Sequence, residues 1–277
     1  MNLPGRDYHG NCHCGSYRFK VRLPHHNALG IVPSAACDCR LCKKQGYQWW
    51  LKPASASFEV TRDDGWLVEY QSSTMEHKFC GICGTGVLGR HFDGPLSGGA
   101  GVTLNARTLR DFDPYQFEQR KPRSDQSSTE PVVLPHSGSC DCGLVNVELL
   151  HVPGHAEIKE DNCSICRRNA WVGIYPRVSE VKVTGAEHLT DYRFGRKFMG
   201  HPFCRVCGVH VVMNVHGPPQ EVVDQLPDER REMVRRKLDV KPINVRVLDG
   251  VDLLLLEVER TDEGTEGYET DVLGLAG

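Results

Sequence analysis

One block of this chain occurs twice, so any fold it adopts has to be built as two related units. Gly10-Asn11-Cys12-His13-Cys14-Gly15 returns as Gly138-Ser139-Cys140-Asp141-Cys142-Gly143. Cys37, Cys39 and Cys42 form a Cys-x-Cys-x-x-Cys run, and Asp161, Cys163 and Cys166 repeat it with one change. Phe79-Cys80-Gly81-Ile82-Cys83-Gly84 returns as Phe203-Cys204-Arg205-Val206-Cys207-Gly208. Cys39, Cys42, Cys80 and Cys83 reach their partners by the same shift of 124 residues, a register chance does not hold over four positions. A fixed period decides architecture before any local signal does. The copies run over 8–117 and 136–260. Between them, 118–135 is polar and contains Pro and Ser, which reads as a linker, and 261–277 is an acidic, Gly-rich tail.

Within each copy, short alternating segments such as Ser16–Arg22 and Leu144–Leu149 are punctuated by Gly, Pro and Asp. That pattern predicts a mainly β architecture in two tandem domains. The exception is an insertion at about 219–238, present only in the second copy. There Val222, Val223, Leu226, Met233, Val234 and Leu238 partly follow helical spacing. Arg230, Arg231, Arg235, Arg236 and Lys237 are interleaved with Asp228, Glu229 and Glu232, which reads as a solvated helix face, not a nucleic-acid surface. The net charge of −3 offers no general attraction to phosphate backbones. No apolar run reaches the roughly 18 residues a membrane span needs, and the start MNLPGRDYHGNC lacks the apolar stretch of a secretory signal. The expectation is a cytoplasmic protein with neither nucleic acid nor membrane as partner.

Thirteen cysteines cannot all pair internally, and in a reducing compartment such numbers serve metal or chemistry, not a secreted disulfide scaffold. Residues two apart on a strand share a face, so Cys12 and Cys14 can aim together; Cys80-x-x-Cys83 has the spacing of a zinc knuckle. Together they supply the four thiolates of a closed, tetrahedral structural zinc site. The second copy offers Cys140, Cys142, Cys204 and Cys207.

Cys37, Cys39 and Cys42 provide three thiolates, and three ligands with one open position are the pattern of a catalytic zinc. The competing reading is a structural site closed by a histidine, with His77 and His91 as candidates. In the second copy, Asp161 stands where the first has Cys37, so Asp161, Cys163 and Cys166 form either a harder mixed site or a degenerate one. Tyr47, Trp49 and Trp50 follow the first run closely; core packing is the simpler reading than a substrate wall. His13 and His26 are possible general bases near neutral pH.

This three-block cysteine pattern, ending in Asn105-to-Leu109 and Asn244-to-Leu248 segments, resembles the Gfa family, that of the glutathione-dependent formaldehyde-activating enzyme and the centromere protein V-like proteins. Tandem copies with a helical insertion resemble fungal members. The resemblance implies a β-tent fold related to Mss4-like domains, with two zinc ions per complete domain. It places the structural zinc on Cys12, Cys14, Cys80 and Cys83, and again on Cys140, Cys142, Cys204 and Cys207. It places the catalytic-type zinc on Cys37, Cys39 and Cys42; in the second copy only Cys163 and Cys166 match. The implied activity is that of a carbon–sulfur lyase on an adduct of a thiol such as glutathione with a carbonyl compound, formaldehyde or a larger secondary metabolite. The alternative is a non-catalytic, zinc-stabilised interaction module.

Overall fold

The computed structural model describes residues 5–24, 34–50, 57–93, 96–97, 101–110, 134–151, 157–261, 268 and 272–274. His26, nearly all of the linker 118–135 and most of the tail 261–277 lie outside these residues. The expected β architecture is observed. In the first copy, strands Gly5–Asn11, Tyr17–Pro24 and Ser57–Asp63 form a three-stranded antiparallel sheet. Tyr17, Phe19 and Val21 alternate inward, between Arg18, Lys20 and Arg22, as a half-buried strand requires. The second copy repeats this sheet with Ser137–Ser139, Asn146–Leu149 and Val181–Thr184.

The other sheet of the first copy has six strands, with Met75–Cys80 between Leu67–Gln71 and Gly86–His91. Its counterpart is divided into a three-stranded sheet around Met199–Cys204 and a four-stranded sheet that gains Glu259–Thr261 as a parallel edge. The bridge Val212↔Ile243 joins the two parts. The equivalence is residue by residue: Met75 pairs with His91 in one copy, and Met199 with Val215 in the other.

The insertion forms two helices, Gln220–Asp224 and Asp228–Leu238, with no buried residue in either. Val222, Met233 and Leu238 are exposed, while Val223, Leu226 and Val234 are half-buried. Arg231–Asp228 and Arg235–Glu232 pair along the second helix, consistent with a solvated charged face. Among the described residues, no helix is long and apolar enough to cross a membrane.

The hydrophobic clusters do not follow the copy boundaries. One joins Leu41, Cys42, Tyr47, Trp49 and Met75 of the first copy to Cys140, Val147, Cys204, Cys207 and Val245 of the second. The other joins Cys12, Phe19, Phe79, Cys80 and Cys83 to Ile165, Cys166, Trp171, Tyr192 and Phe203. Phe79 and Phe203, equivalent in the repeat, meet edge-on with ring centroids 6.2 Å apart, and both are fully buried. Burying each such ring contributes about 2–3 kcal/mol. The contacts come in pairs related by the repeat. Lys44 donates to the Ser139 carbonyl, and Arg168 Nε to the Asn11 carbonyl at 3.4 Å. Arg107 Nε donates to the Gly46 carbonyl and Arg246 Nε to that of Ala170, each at 2.7 Å. The copies face each other about an approximate twofold axis.

Candidate metal centres

Each four-cysteine set converges. The Cys12, Cys14, Cys80 and Cys83 sulfurs lie within 4.8 Å of one another, as do those of Cys140, Cys142, Cys204 and Cys207. Cys80-x-x-Cys83-Gly84 closes because Gly84 adopts φ +74° and donates its N–H to the Cys80 carbonyl at 2.8 Å; Gly208 does the same at +70° for Cys204. A side chain is disfavoured in that left-handed region, which is why glycine ends each knuckle. The Cys12–Cys14 and Cys14–Cys80 sulfurs are 3.6 Å apart, and Cys140–Cys142 3.4 Å. Tetrahedral zinc with bonds of about 2.3 Å places sulfurs about 3.8 Å apart, so both sets fit a metal ion. The donors' chemistry agrees: hydrogen bonds from the neighbouring cysteines hold Cys80 far below the ordinary thiol range, while burial pushes Cys83 up. Sulfurs crowded in this way gain from a bound cation.

The second cluster of the first copy sits at a helix start. Helix Arg40–Gln45 is capped by Cys39, whose sulfur accepts from the Cys42 N–H at 3.5 Å, and it ends at the left-handed Gly46. Cys37, Cys42 and His91 place their donor atoms within 4.8 Å of one another, with Cys39 beside them. A hydrogen bond from Cys42 lowers Cys39 to about 5, and Cys42 is correspondingly pushed up. Trp49 Nε1–H donates to Cys42 Sγ at 3.1 Å, and Met75 Sδ lies 3.2 Å from the same sulfur. Cys42 is buried, whereas Cys37 and Cys39 are partly open to solvent and Arg40 is exposed.

A family model described as glutathione-dependent formaldehyde-activating enzyme matches residues 7–121 and 135–226, more than half of the chain. The chain belongs to that family. A crystal structure of a Rhodobacter sphaeroides protein is also similar, with 31% identity, covering 45% of this chain and 99% of its own, at a TM-score of 0.35.

The second copy of this Gfa-family chain departs from the first at its own second cluster. Asp161, Cys163 and Cys166 place donors within 4.8 Å. The Cys163 and Cys166 sulfurs are 2.8 Å apart, and Asp161 is already engaged by the Cys163 N–H at 3.1 Å and Thr261 Oγ1 at 3.2 Å. His13, from the first copy's Cys-x-Cys loop, reaches Ser164, between Cys163 and Cys166 in this run. Its ring nitrogens lie 2.9 Å from Tyr192 Oη and 2.8 Å from Ser164 Oγ, and Tyr268 Oη donates to its carbonyl at 2.7 Å. Ser164 is buried, whereas its first-copy counterpart Arg40 is exposed. The same relation runs in reverse: Asp141 of the second copy's loop accepts from Tyr70 Oη at 2.8 Å and lies 3.8 Å from Arg40 Nε, at the rim of the first copy's cluster.

These positions decide between readings the sequence left open. His13 is fully buried and bonded at both nitrogens, with its pKa pushed well down by burial, so it is a structural contact between the copies and not a base at the Cys37/Cys39/Cys42 cluster. Tyr47, Trp49 and Trp50 are all buried, the core packing that the sequence favours. Of the two candidate histidines, His77 is bonded through Nδ1 to Tyr47 Oη at 2.6 Å, and His91 is the one at the cluster. Arg40 and Asp141 carried no sequence signal; only the meeting of the copies brings them together.

Proposed function

We propose that this protein is a zinc-dependent carbon–sulfur lyase-type enzyme whose reaction centre is the Cys37/Cys39/Cys42 cluster of the first copy. The observation that carries this is the asymmetry of the copies. One second cluster keeps its three cysteines, two of them partly open to solvent, while the other, equally open, has lost one cysteine to Asp161, whose carboxylate is already held by the Cys163 N–H and Thr261. The four-cysteine sets are assigned one structural zinc each; the Asp161/Cys163/Cys166 set is assigned a weak site or none. A zinc ion in the open cluster would lower the pKa of a thiol beside it and favour the thiolate. In the reaction, the thiolate sulfur of glutathione or a related thiol bonds to the aldehyde carbon. The carbonyl π pair moves to oxygen, and oxygen takes up the proton the thiol lost, giving a hydroxyalkyl thioether. The reverse is the lyase direction. Trp49 fixes Cys42 and withdraws charge from it by its hydrogen bond. The Arg40 guanidinium and Asp141 carboxylate, at the rim, suit the opposite charges of a zwitterionic thiol.

A second reading, a zinc-stabilised interaction module without catalysis, draws on His91, because a fourth protein donor would close the site. Exchange NMR with 13C-formaldehyde and glutathione separates the two. The wild type accelerates adduct formation; Cys39→Ser loses at least about 100-fold of that rate while melting near the wild-type temperature; Cys80→Ser collapses the fold. An inactive wild type, with both variants equally unfolded, sinks the catalytic assignment.

A further inference from the structure

We propose that His91 is a resting ligand of the first copy's second centre, joining the cysteines of the Cys37-x-Cys39-x-x-Cys42 run in a sulfur–nitrogen site. This rests on reading that cluster as a metal centre, not on the reaction assigned to it.

Three observations converge. His91 Nε2 lies 4.0 Å from Cys42 Sγ, and His91, Cys37 and Cys42 donors are all within 4.8 Å of one another. Zinc bonds of about 2.3 Å to sulfur and about 2.0 Å to nitrogen, at the tetrahedral angle, separate such donors by about 3.6 Å. Small shifts suffice to bring the set to bonding geometry.

The ring is also poorly satisfied without such a bond. His91 is 7% exposed, held edge-on against Trp49 with centroids 5.4 Å apart. Its Nδ1 has no hydrogen-bond partner among the described residues, and Nε2 faces a sulfur. A buried imidazole with neither ring nitrogen bonded to an oxygen is costly. His77, the other buried histidine of this sheet, has one ring nitrogen bonded to Tyr47 Oη at 2.6 Å, whereas neither nitrogen of His91 has an oxygen partner among the described residues.

The chain carries its own comparison. The strand pairs Met75↔His91 and Met199↔Val215 are equivalent in register. The copy that retains Cys37 has His91; the copy with Asp161 in its place has Val215. Both donors are missing from the same copy, as expected if they serve one ion. His91 also packs on Trp49, whose counterpart is Gly173, so the second copy lacks that ring as well as Cys37, and the metal measurements below separate ligation from packing.

The test uses the full chain, reconstituted with Cd2+ or Co2+. In 15N-labelled, 113Cd-loaded wild type, a coupling between cadmium and the His91 ring nitrogen is expected; its absence, with all centres loaded, overturns the proposal. His91→Val installs the residue the second copy already carries. That variant is expected to lose one metal ion per chain to a chelator at least about 100-fold more readily, beyond the 10–100-fold that a lost outer partner costs. The four-cysteine centres should remain loaded, which also reports that the variant is folded. Unchanged chelator resistance and an unchanged cadmium resonance would overturn the assignment. Glutathione added to the Co2+-loaded wild type tests the reaction separately: unmoved cobalt bands count against thiol entry and leave the cadmium–nitrogen coupling to decide on His91.

Discussion

At the scale of the residue, the contact between the copies is decided by groups too small to attract notice in the sequence. Gly46 ends helix Arg40–Gln45 at φ +57°, and a Cβ there would lie 2.3 Å from the Ala170 Cβ. Ala170 is its counterpart and itself holds φ +51°. Gly46→Ala therefore meets both a left-handed backbone penalty of about 1–2 kcal/mol and an overpacking penalty of about 1–3 kcal/mol. A loss of about 2–5 kcal/mol in urea denaturation is expected. Adding Ala170→Gly removes the facing Cβ and also relieves the left-handed backbone at residue 170, so the double variant should be more stable than the sum of the two single changes predicts; strict additivity would contradict the contact. The cysteines, by contrast, were legible from sequence, because thiolate chemistry and short spacing leave few alternatives. His91 was legible only as one of two candidates. Its choice depends on strand pairing, which sets His91 opposite Met75, the residue whose sulfur meets Cys42 of helix Arg40–Gln45.

At the scale of the element, the Cys-x-Cys loops do two things at once. Each supplies two sulfurs to its own four-cysteine centre and sends its middle residue, His13 or Asp141, into the other copy. The repeat predicted the first role, since both cysteines recur; it could not predict the second, because the middle residue differs between copies. In the second copy the result is a buried chain of hydrogen bonds, Tyr192–His13–Ser164, under stacked aromatic rings. His13→Leu keeps the volume but removes two buried hydrogen bonds and strands the Tyr192 hydroxyl, at about 1–3 kcal/mol each. We expect a loss of about 2–5 kcal/mol in denaturant melts, with the metal content of the Cys37/Cys39/Cys42 centre unchanged. A variant as stable as wild type would show that the loop is not a structural contact between the copies. The solvated helix face read from the insertion's charges is what the structure has, and its partial apolar spacing matches half-buried Val223, Leu226 and Val234 beside exposed Val222, Met233 and Leu238.

At the scale of the whole molecule, the copies share their cores, and that was not legible at all. A repeat reports likeness between segments, not how they face each other. One consequence is a set of histidines buried where the copies meet or in the sheets beside that meeting. Burial lowers His77 to about 3, His201 to about 4 and His210 to about 3, and holds His13 well below its ordinary value. In the unfolded chain each titrates near 6.5. Below that pH the unfolded state binds protons the folded state refuses, so the stability these groups contribute is complete above about 6.5 and is lost as pH falls towards 4. Each fully neutral histidine costs about 1.4 kcal/mol per pH unit in that window, so three of them account for roughly 6 kcal/mol between pH 6.5 and 5, comparable with a typical domain's whole stability. Stability should therefore fall steeply below pH 6.5, with metal content followed in parallel because thiolate ligands also take up protons. His201 separates the two effects, since it stacks on Phe194 at 5.5 Å and belongs to none of the metal-ligand groups. His201→Gln should reduce proton uptake on unfolding by about one at pH 5 and flatten the stability slope accordingly. An unchanged slope would assign the acid loss to the cysteine centres and not to the buried rings.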